Sequence, residues 1–297
     1  MNVEQEKTSQ KKAQRWYKLF VYLVLILLAI VIVVPIAWVF MASVKSNAEF
    51  YGNPWTLPKH FEWSNFVSAW TTAGMGRYLG NSVFVTVVAL LLLIVIALPA
   101  SYVLARFRFV GQRFWNAYFM IGLFINANYI VVPIFLMLLG GDQFLQQVMG
   151  QTFFLNNLWM LALIYAATAL PFTIYLLANY FRTLPASFEE AAYIDGAGYL
   201  KTFIKVMAPM ARPSIITVIL FNFLSFWNEY IMALTLIPGE NKTLPVGLLN
   251  LSAAQKSAQN YGQLYAGLVI VMLPTLILYI LVQKQLTKGM TVGGVKG

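Results

Sequence analysis

The chain has 297 residues, 60% of them hydrophobic and only 10% charged, with a net charge of +10 and no cysteine. Its mean hydropathy is +0.71, and since soluble domains carry about 25% charged residues, this is an integral membrane protein. The lack of cysteine and the single histidine, His60, exclude a disulfide framework and a Cys/His metal cluster, while cations gathered in short connections report topology rather than nucleic-acid binding.

With about 20 apolar residues per span as the ruler, the pattern predicts an all-α fold of six transmembrane helices, at 19–42, 79–104, 114–139, 158–180, 214–237 and 264–283. The first run is too long for a signal peptide and lacks a small-residue cleavage site, so it is expected to stay as an anchor. Pro35, Pro99, Pro133, Pro171 and Pro274 fall inside the spans and predict kinks. An even number of spans puts both termini on one side. Lys7, Lys11, Lys12, Arg15 and Lys18 precede the first span, Arg106, Arg108 and Arg113 follow the second, Arg182, Lys201, Lys205 and Arg212 lie between the fourth and fifth, and Lys284, Lys288 and Lys296 close the chain. By the positive-inside rule these face the cytoplasm. Lys45, Lys59 and Arg77 in one long loop, and Lys242 and Lys256 in another, then lie outside. The loop from Lys45 to Arg77 is turn-rich, with Asn53-Pro54-Trp55, Pro58, Trp63 and Trp70.

Between the fourth and fifth spans, Ser187 to Pro209 reads SFEEAAYIDGAGYLKTFIKVMAP, a polar, helix-forming island. Ser187 and Glu190 have the spacing of a capping box, so a short helix is expected to begin there. Gly196 and Gly198 interrupt it; a second run follows with Tyr199, Phe203 and Val206 on one face, beside Lys201 and Lys205, and Pro209 and Pro213 are expected to stop that run.

Glu190, Ala191, Ala192, Gly196 and Pro209 repeat the spacing of the EAA loop, and here the chain resembles the permease subunits of ATP-binding cassette importers. Val206 and Ala208 stand where that family usually has Ile and Leu, which removes apolar volume but leaves the turn residues intact. The resemblance implies a type I importer permease fold in which the loop, as a helix pair, fits a groove on a cytoplasmic ATPase subunit, with Ser187, Glu190, Ala191, Ala192, Asp195, Gly196 and Pro209 as coupling residues. VKSNAEFYGNPWTLPKHFEWSNF at 44–66, SYVLARFRF at 101–109, NEYIMALTLIPGENKTLPVGLLNL at 228–251 and TVGGVKG at 291–297 are similar to the carbohydrate-importer branch, with the weakest agreement between Leu138 and Asn157. The implied organisation is a tail, first helix and external loop over 1–76, a permease domain over 77–283 with its EAA loop at 182–213, and a cytoplasmic tail over 284–297.

No G-x-x-x-x-G-K-[ST] occurs, so the chain has no phosphate-cradling loop of its own. The function that the resemblance implies is half of the translocation pathway of a sugar importer, of the maltose-transporter type, in a bacterial cytoplasmic (inner) membrane. The resemblance implies a second, similar permease, two ATPase subunits that bind ATP and Mg, and an external sugar-binding protein; no cofactor is expected in this chain, and it is not itself an enzyme. A permease for amino acids or peptides is the alternative within the family. An ion-coupled secondary transporter would place titratable groups in several midplane helices, and a receptor or scaffold gives no reason for a Gly-interrupted helix pair. Asn126, Asn128, Tyr129, Asn222 and Asn228 are candidate sugar contacts, each equally able to join helices. Glu229 is the one formally charged residue within a span. It is read either as a pathway or outer-gate group or as an ion-pair partner of the second permease.

Overall fold

The computed structural model describes residues 2–258 and 260–292, and every regular element among them is helical. In chain order these are α1 (Asn2–Ser43), α2 (Asn47–Gly52), α3 (Ser64–Thr71), α4 (Met75–Arg106), α5 (Gln112–Gly122), α6 (Ala127–Met149) and α7 (Leu158–Thr183). There follow α8 (Ser187–Ile194), α9 (Tyr199–Thr202), a π-helical turn (Phe203–Met207), α10 (Ala208–Met210), α11 (Arg212–Asn228), α12 (Ile231–Leu236), α13 (Leu244–Ala258) and α14 (Tyr261–Val292). Among the described residues five helices are long and apolar enough to cross a membrane, and Tyr199–Met210 with Arg212–Asn228, bent by 72°, makes a sixth when taken as one broken span. The protein is thus a multi-pass membrane protein. Residues 293–297 of the expected C-terminal tail lie outside the described residues.

Two compact units form, Met1–Thr72 with Leu251–Ile270 and Ala73–Asn250 with Val271–Gly297. In the first, the apolar side chains of α1 from Leu19 to Val34 are exposed almost throughout, as a hydrocarbon-facing helix requires. The loop after α1 is more ordered than its turn residues suggest, because a lysine is folded into its centre. Lys45 is fully buried, and its Nζ donates to the Asn53 and Pro54 carbonyls at 3.2 and 3.0 Å and to Thr56 Oγ1 at 3.5 Å. Asn65 Nδ2 donates to the Ser43 and Lys45 carbonyls at 3.0 and 2.8 Å. A Cβ on Gly262 would stand 2.4 Å from that amide and 2.7 Å from the Lys45 oxygen, so the start of α14 reaches this knot only as glycine. Phe50 stacks on Tyr261 at 5.0 Å, and Trp38 meets Tyr265 edge-on at 5.1 Å.

The second unit is organised on α4 and α7, which pack along each other. Val85, Ala89, Leu93 and Ala97 repeat every four residues on α4 and are sealed, as are Leu161, Ala162, Leu177 and Phe181 on α7. Because lipid is as apolar as leucine, small residues that let the backbones approach hold such a pair by contact rather than by water exclusion. α11 joins it through Asn222 Nδ2, which donates to Thr173 Oγ1 at 3.0 Å. Trp227 Nε1 donates to the Val271 carbonyl of α14 at 3.2 Å.

Two expected spans are broken. The third, at 114–139, is α5 and α6 separated at 123–126, and its long apolar helix is 127–149. Asn126 Oδ1 accepts the Asn128 N–H at 2.9 Å and starts α6 afresh, while Gly122 lies so close to the Pro171 ring that a Cβ would approach it to 2.7 Å. The fifth, at 214–237, ends its first helix at Asn228, and α12 restarts after Glu229 and Tyr230. The helices α1, α4, α6, α7 and α14 continue through their internal prolines.

Replacing Lys45 by methionine keeps the volume but removes the charged donor that joins the Asn53 and Pro54 carbonyls, which keep only Thr56 and Trp38 as donors, at a cost of about 1.5–3 kcal/mol for hydrogen bonds to a charged group. Limited proteolysis of the protein in nanodiscs should then cut within 45–72 faster than in the parent, while α4 to α7 stay protected. Equal cutting rates would remove Lys45 from the centre of the loop.

Candidate functional site

The connection from Leu184 to Pro213 is tied to α4 at one place. Arg106, in the last turn of α4, donates from Nη2 to the Leu184 carbonyl at 2.7 Å and pairs its Nε with Glu189 Oε2 at 3.4 Å. Tyr102, one turn earlier, donates its hydroxyl to Glu189 Oε1 at 2.8 Å. Both carboxylate oxygens of Glu189 are therefore held by one helix, and the pair is largely buried, with 14% of each side chain exposed. Below Tyr102 the rings of Phe181, Phe203 and Phe107 close at 5.4, 5.1 and 5.6 Å. Tyr199 continues this layer against Phe107 and Tyr193, both at 5.6 Å. Burial, then the Glu189 charge, pushes the Tyr193 phenol up from its ordinary pKa.

The helix begins at Ser187 as expected, but not through a capping box. The Ala186 carbonyl already accepts from the N–H groups of Glu189 and Glu190, so the cap position falls one residue early, on a side chain with no oxygen. Ser187 and Glu190 are exposed. Glu189 and Glu190 still sit in the first turn, where the helix dipole favours acids. Gly196 turns the chain at φ +76°, a conformation that costs an L side chain about 1–2 kcal/mol. The second run is not one α-helix either: the Ala208 N–H reaches back five residues to the Phe203 carbonyl, and the extra residue turns Pro209 outward. Rather than stopping the run, Pro209 and Pro213 occupy the first turns of α10 and α11, where a missing N–H is harmless. Of the predicted coupling residues, Ala192 is buried, whereas Ala191, Asp195 and Pro209 are exposed. Leu200 and Ile204 expose 70 and 55% of their surface and share an apolar depression with Tyr199, Lys201 and Lys205, and Ile194, on α8, is 86% exposed.

The predicted pathway residues do not behave as one group. Asn126 is spent on its own cap, Asn128 and Tyr129 are exposed beside it on the first turn of α6, and Asn228 donates to the Leu224 carbonyl at 2.8 Å. Asn222 is buried between α11 and α7, the helix-joining role. Glu229 takes a use that neither sequence reading named. Its Oε1 accepts the Met232 N–H at 2.7 Å, and its Oε2 accepts the Ala233 N–H at 3.1 Å and the buried Tyr165 hydroxyl at 2.5 Å. It is the cap of α12 and its tether to α7.

Sequence reading missed Glu189, Tyr102, Tyr165 and Asp142. The double acid Glu189-Glu190 was the available signal, since two consecutive residues point about 100° apart on a helix and only one can face α4. Asp142 is 5% exposed and holds the N–H groups of Phe153, Phe154 and Leu155 at 2.7, 2.7 and 2.8 Å. It folds the connection to α7.

The sequence profile of the family described as binding-protein-dependent transport system inner membrane component matches residues 97–292. The diacetylchitobiose uptake system permease protein NgcG of Streptomyces coelicolor is 38% identical over 91% of this chain and 86% of its own. The galactooligosaccharides transport system permease protein GanQ of Bacillus subtilis is 26% identical over 96% of this chain and 98% of its own. Among solved structures, a chain of a bacterial ABC transporter that imports the acidic polysaccharide alginate superposes with a TM-score of 0.77 at 26% identity, covering 92% of this chain and 97% of that one. A chain of an alginate transporter in complex with a pentasaccharide-bound periplasmic protein superposes at 0.62 and 14% identity, covering 91% and 94%, and shows the fold alone.

Glu229→Gln replaces one accepting oxygen by a donor that faces backbone N–H groups. A loss of about 1–2 kcal/mol is expected, read as a lower melting temperature of the purified protein. An unchanged melting temperature would mean that the carboxylate does not hold α12.

Proposed function

Because the chain belongs to the family of inner membrane components of binding-protein-dependent transport systems, we propose that it forms one half of the pathway of an ATP-driven oligosaccharide importer. A second permease supplies the other half, two separate ATPase subunits bind ATP and Mg and hydrolyse the nucleotide, and an external binding protein delivers the sugar. The observation that carries the coupling role is the Glu189 carboxylate, gripped from α4 by Arg106 and Tyr102. It makes a loop with an outward apolar patch mechanically continuous with a membrane span. The ATPase packs on Ile194, Leu200 and Ile204, with Glu190 and Asp195 offering carboxylates to its cations. Movement of that subunit then reaches α4 through a buried group, hydrogen-bonded by Tyr102 and ion-paired with Arg106, rather than through a flexible tether. Support for a sugar cargo comes from the relatives, whose names specify diacetylchitobiose and galactooligosaccharides.

In this reading the termini and the 184–213 connection lie in the cytoplasm. Cysteines introduced singly into a chain that has none give a clean check. One at Lys242 should react with an impermeant maleimide added outside intact cells, and one at Lys201 should not; the reverse pattern would overturn the orientation.

The coupling role is tested with the transporter co-purified with its ATPase and binding protein and reconstituted in proteoliposomes. Glu189→Ala should lower sugar uptake about tenfold or more while hydrolysis without sugar persists, because the buried pair costs about 3–5 kcal/mol to break. Uptake and hydrolysis that fall in equal proportion, or uptake at the parent rate, would sink the coupling role. Failure to co-purify with any ATPase would sink the importer reading as a whole.

A further inference from the structure

At the end of the second unit away from the 184–213 connection there is an open cleft of about 690 Å³. Both α4 and α7 end at that connection, at Arg106 and Thr183, so their first turns lie at the other end, and the cleft opens there between Asn81, Phe84 and the connection that leads into α7. Its volume is within the range of small-molecule sites, about 300–1,000 Å³. No acidic or basic side chain lines it.

Three of its polar side chains are amides held by one half and presenting the other, whereas Asn157 uses both halves on the backbone and Thr152 adds a hydroxyl. Asn81 donates from Nδ2 to the Lys242 carbonyl at 2.9 Å, which leaves Oδ1 as an acceptor. Asn241 Oδ1 accepts from Arg77 Nη2 at 2.6 Å, leaving its NH₂ as a donor. Asn156 Oδ1 accepts the Gly239 N–H at 3.2 Å, again leaving NH₂. Asn156 is itself held at φ 56° by its own N–H on the Leu236 carbonyl. The fourth element is Trp159, whose ring is 61% exposed yet oriented by an edge-on contact with Phe84 at 4.9 Å.

A broad apolar ring beside one oriented acceptor and two oriented donors, with no net charge, matches one class of ligand. Sugar rings present apolar C–H faces together with hydroxyls that both donate and accept. An ion or an acidic peptide would require the counter-charge that the lining lacks. We propose that this cleft is a binding subsite for a neutral saccharide unit, stacked on Trp159 and hydrogen-bonded by Asn81, Asn156 and Asn241. The proposal rests on the importer reading, under which this end faces outward. It adds a point on the permease itself where sugar is held before it enters the membrane. The amides are pre-organised by backbone partners, so little ordering is needed when sugar arrives.

The test uses the assembled transporter in nanodiscs without binding protein. Saturation-transfer NMR is recorded with N,N′-diacetylchitobiose, maltotriose and β-1,4-galactotriose, and uptake of the same sugars is measured in proteoliposomes with binding protein. At least one sugar should show saturable transfer to the parent complex. Trp159→Ala should raise its half-saturating concentration about fivefold or more, Trp159→Phe should keep most of the affinity, and both variants should melt as the parent does, since the ring is on the surface. Uptake of a sugar without saturable transfer, or equal affinity in Trp159→Ala, would overturn the cleft and leave the importer reading standing. A Trp159→Ala effect confined to stimulation by the binding protein would make the cleft a protein footprint and overturn the proposal. No transfer and no uptake for all three would overturn both.

Discussion

Inside hydrocarbon a helix end has no water to satisfy its backbone, so each interruption of a span needs a partner within the protein. This chain interrupts its spans repeatedly, and at several of these interruptions a polar side chain supplies the missing partner, though not at Ala211 before α11. Asn126 and Asn157 accept the first free N–H groups of α6 and α7. Glu229 accepts two at the start of α12, and Asp142 three in the connection before α7. Arg106 does the converse, covering the carbonyls of Leu184 and Pro185 after α7 ends. The polar residues of this apolar chain are thus concentrated where the backbone would otherwise be bare. That explains why several that look like ligand contacts in sequence are spent on the protein's own frame.

The same requirement separates what sequence shows from what it hides. Span number and approximate position follow from apolar length, because six runs near 20 residues have few alternative uses. The break at 123–126 was hidden because Leu123, Phe124 and Ile125 are as apolar as the helix they interrupt; the signals, Gly122 and the Asx spacing of Asn126 and Asn128, concern shape rather than hydropathy. The capping box was misread by one residue because the S-x-x-E pattern carries no information about whether Ser187 is already helical. Glu229 stood out as the one charged residue within a span, but its partners, Tyr165 and the first N–H groups of α12, come from packing across α7 and from a helix break that periodicity does not show.

The 184–213 connection combines a rigid anchor with a compliant middle. Glu189 is fixed to α4, and the chain then passes a left-handed glycine, one short turn of α-helix, a π-turn and a 72° bend before α11 begins. π-turns hold an inserted residue at the expense of weaker hydrogen-bond geometry, and they recur at functional sites for that reason. A push on the exposed Leu200 and Ile204 would therefore meet stiffness toward α4 and give toward α11. The two spans need not move by the same amount. An importer that must open one end of its path while closing the other needs such inequality.

The knot in the first unit has a consequence for how the protein is made. Ser43, Lys45 and Asn65 come together at a point that Gly262 completes, with Tyr261 and Tyr265 filling the space beside Phe50 and Trp38. Ribosomal synthesis delivers the two sides of this arrangement far apart in time, with the whole of α4 to α13 emerging between them. Until residue 262 has left the ribosome, the aromatic faces of Trp38 and Phe50 lack their tyrosine partners. Assembly of the first unit is consequently one of the last events in biogenesis, and a chain truncated before α14 would carry an unfinished first unit however well its earlier helices had inserted.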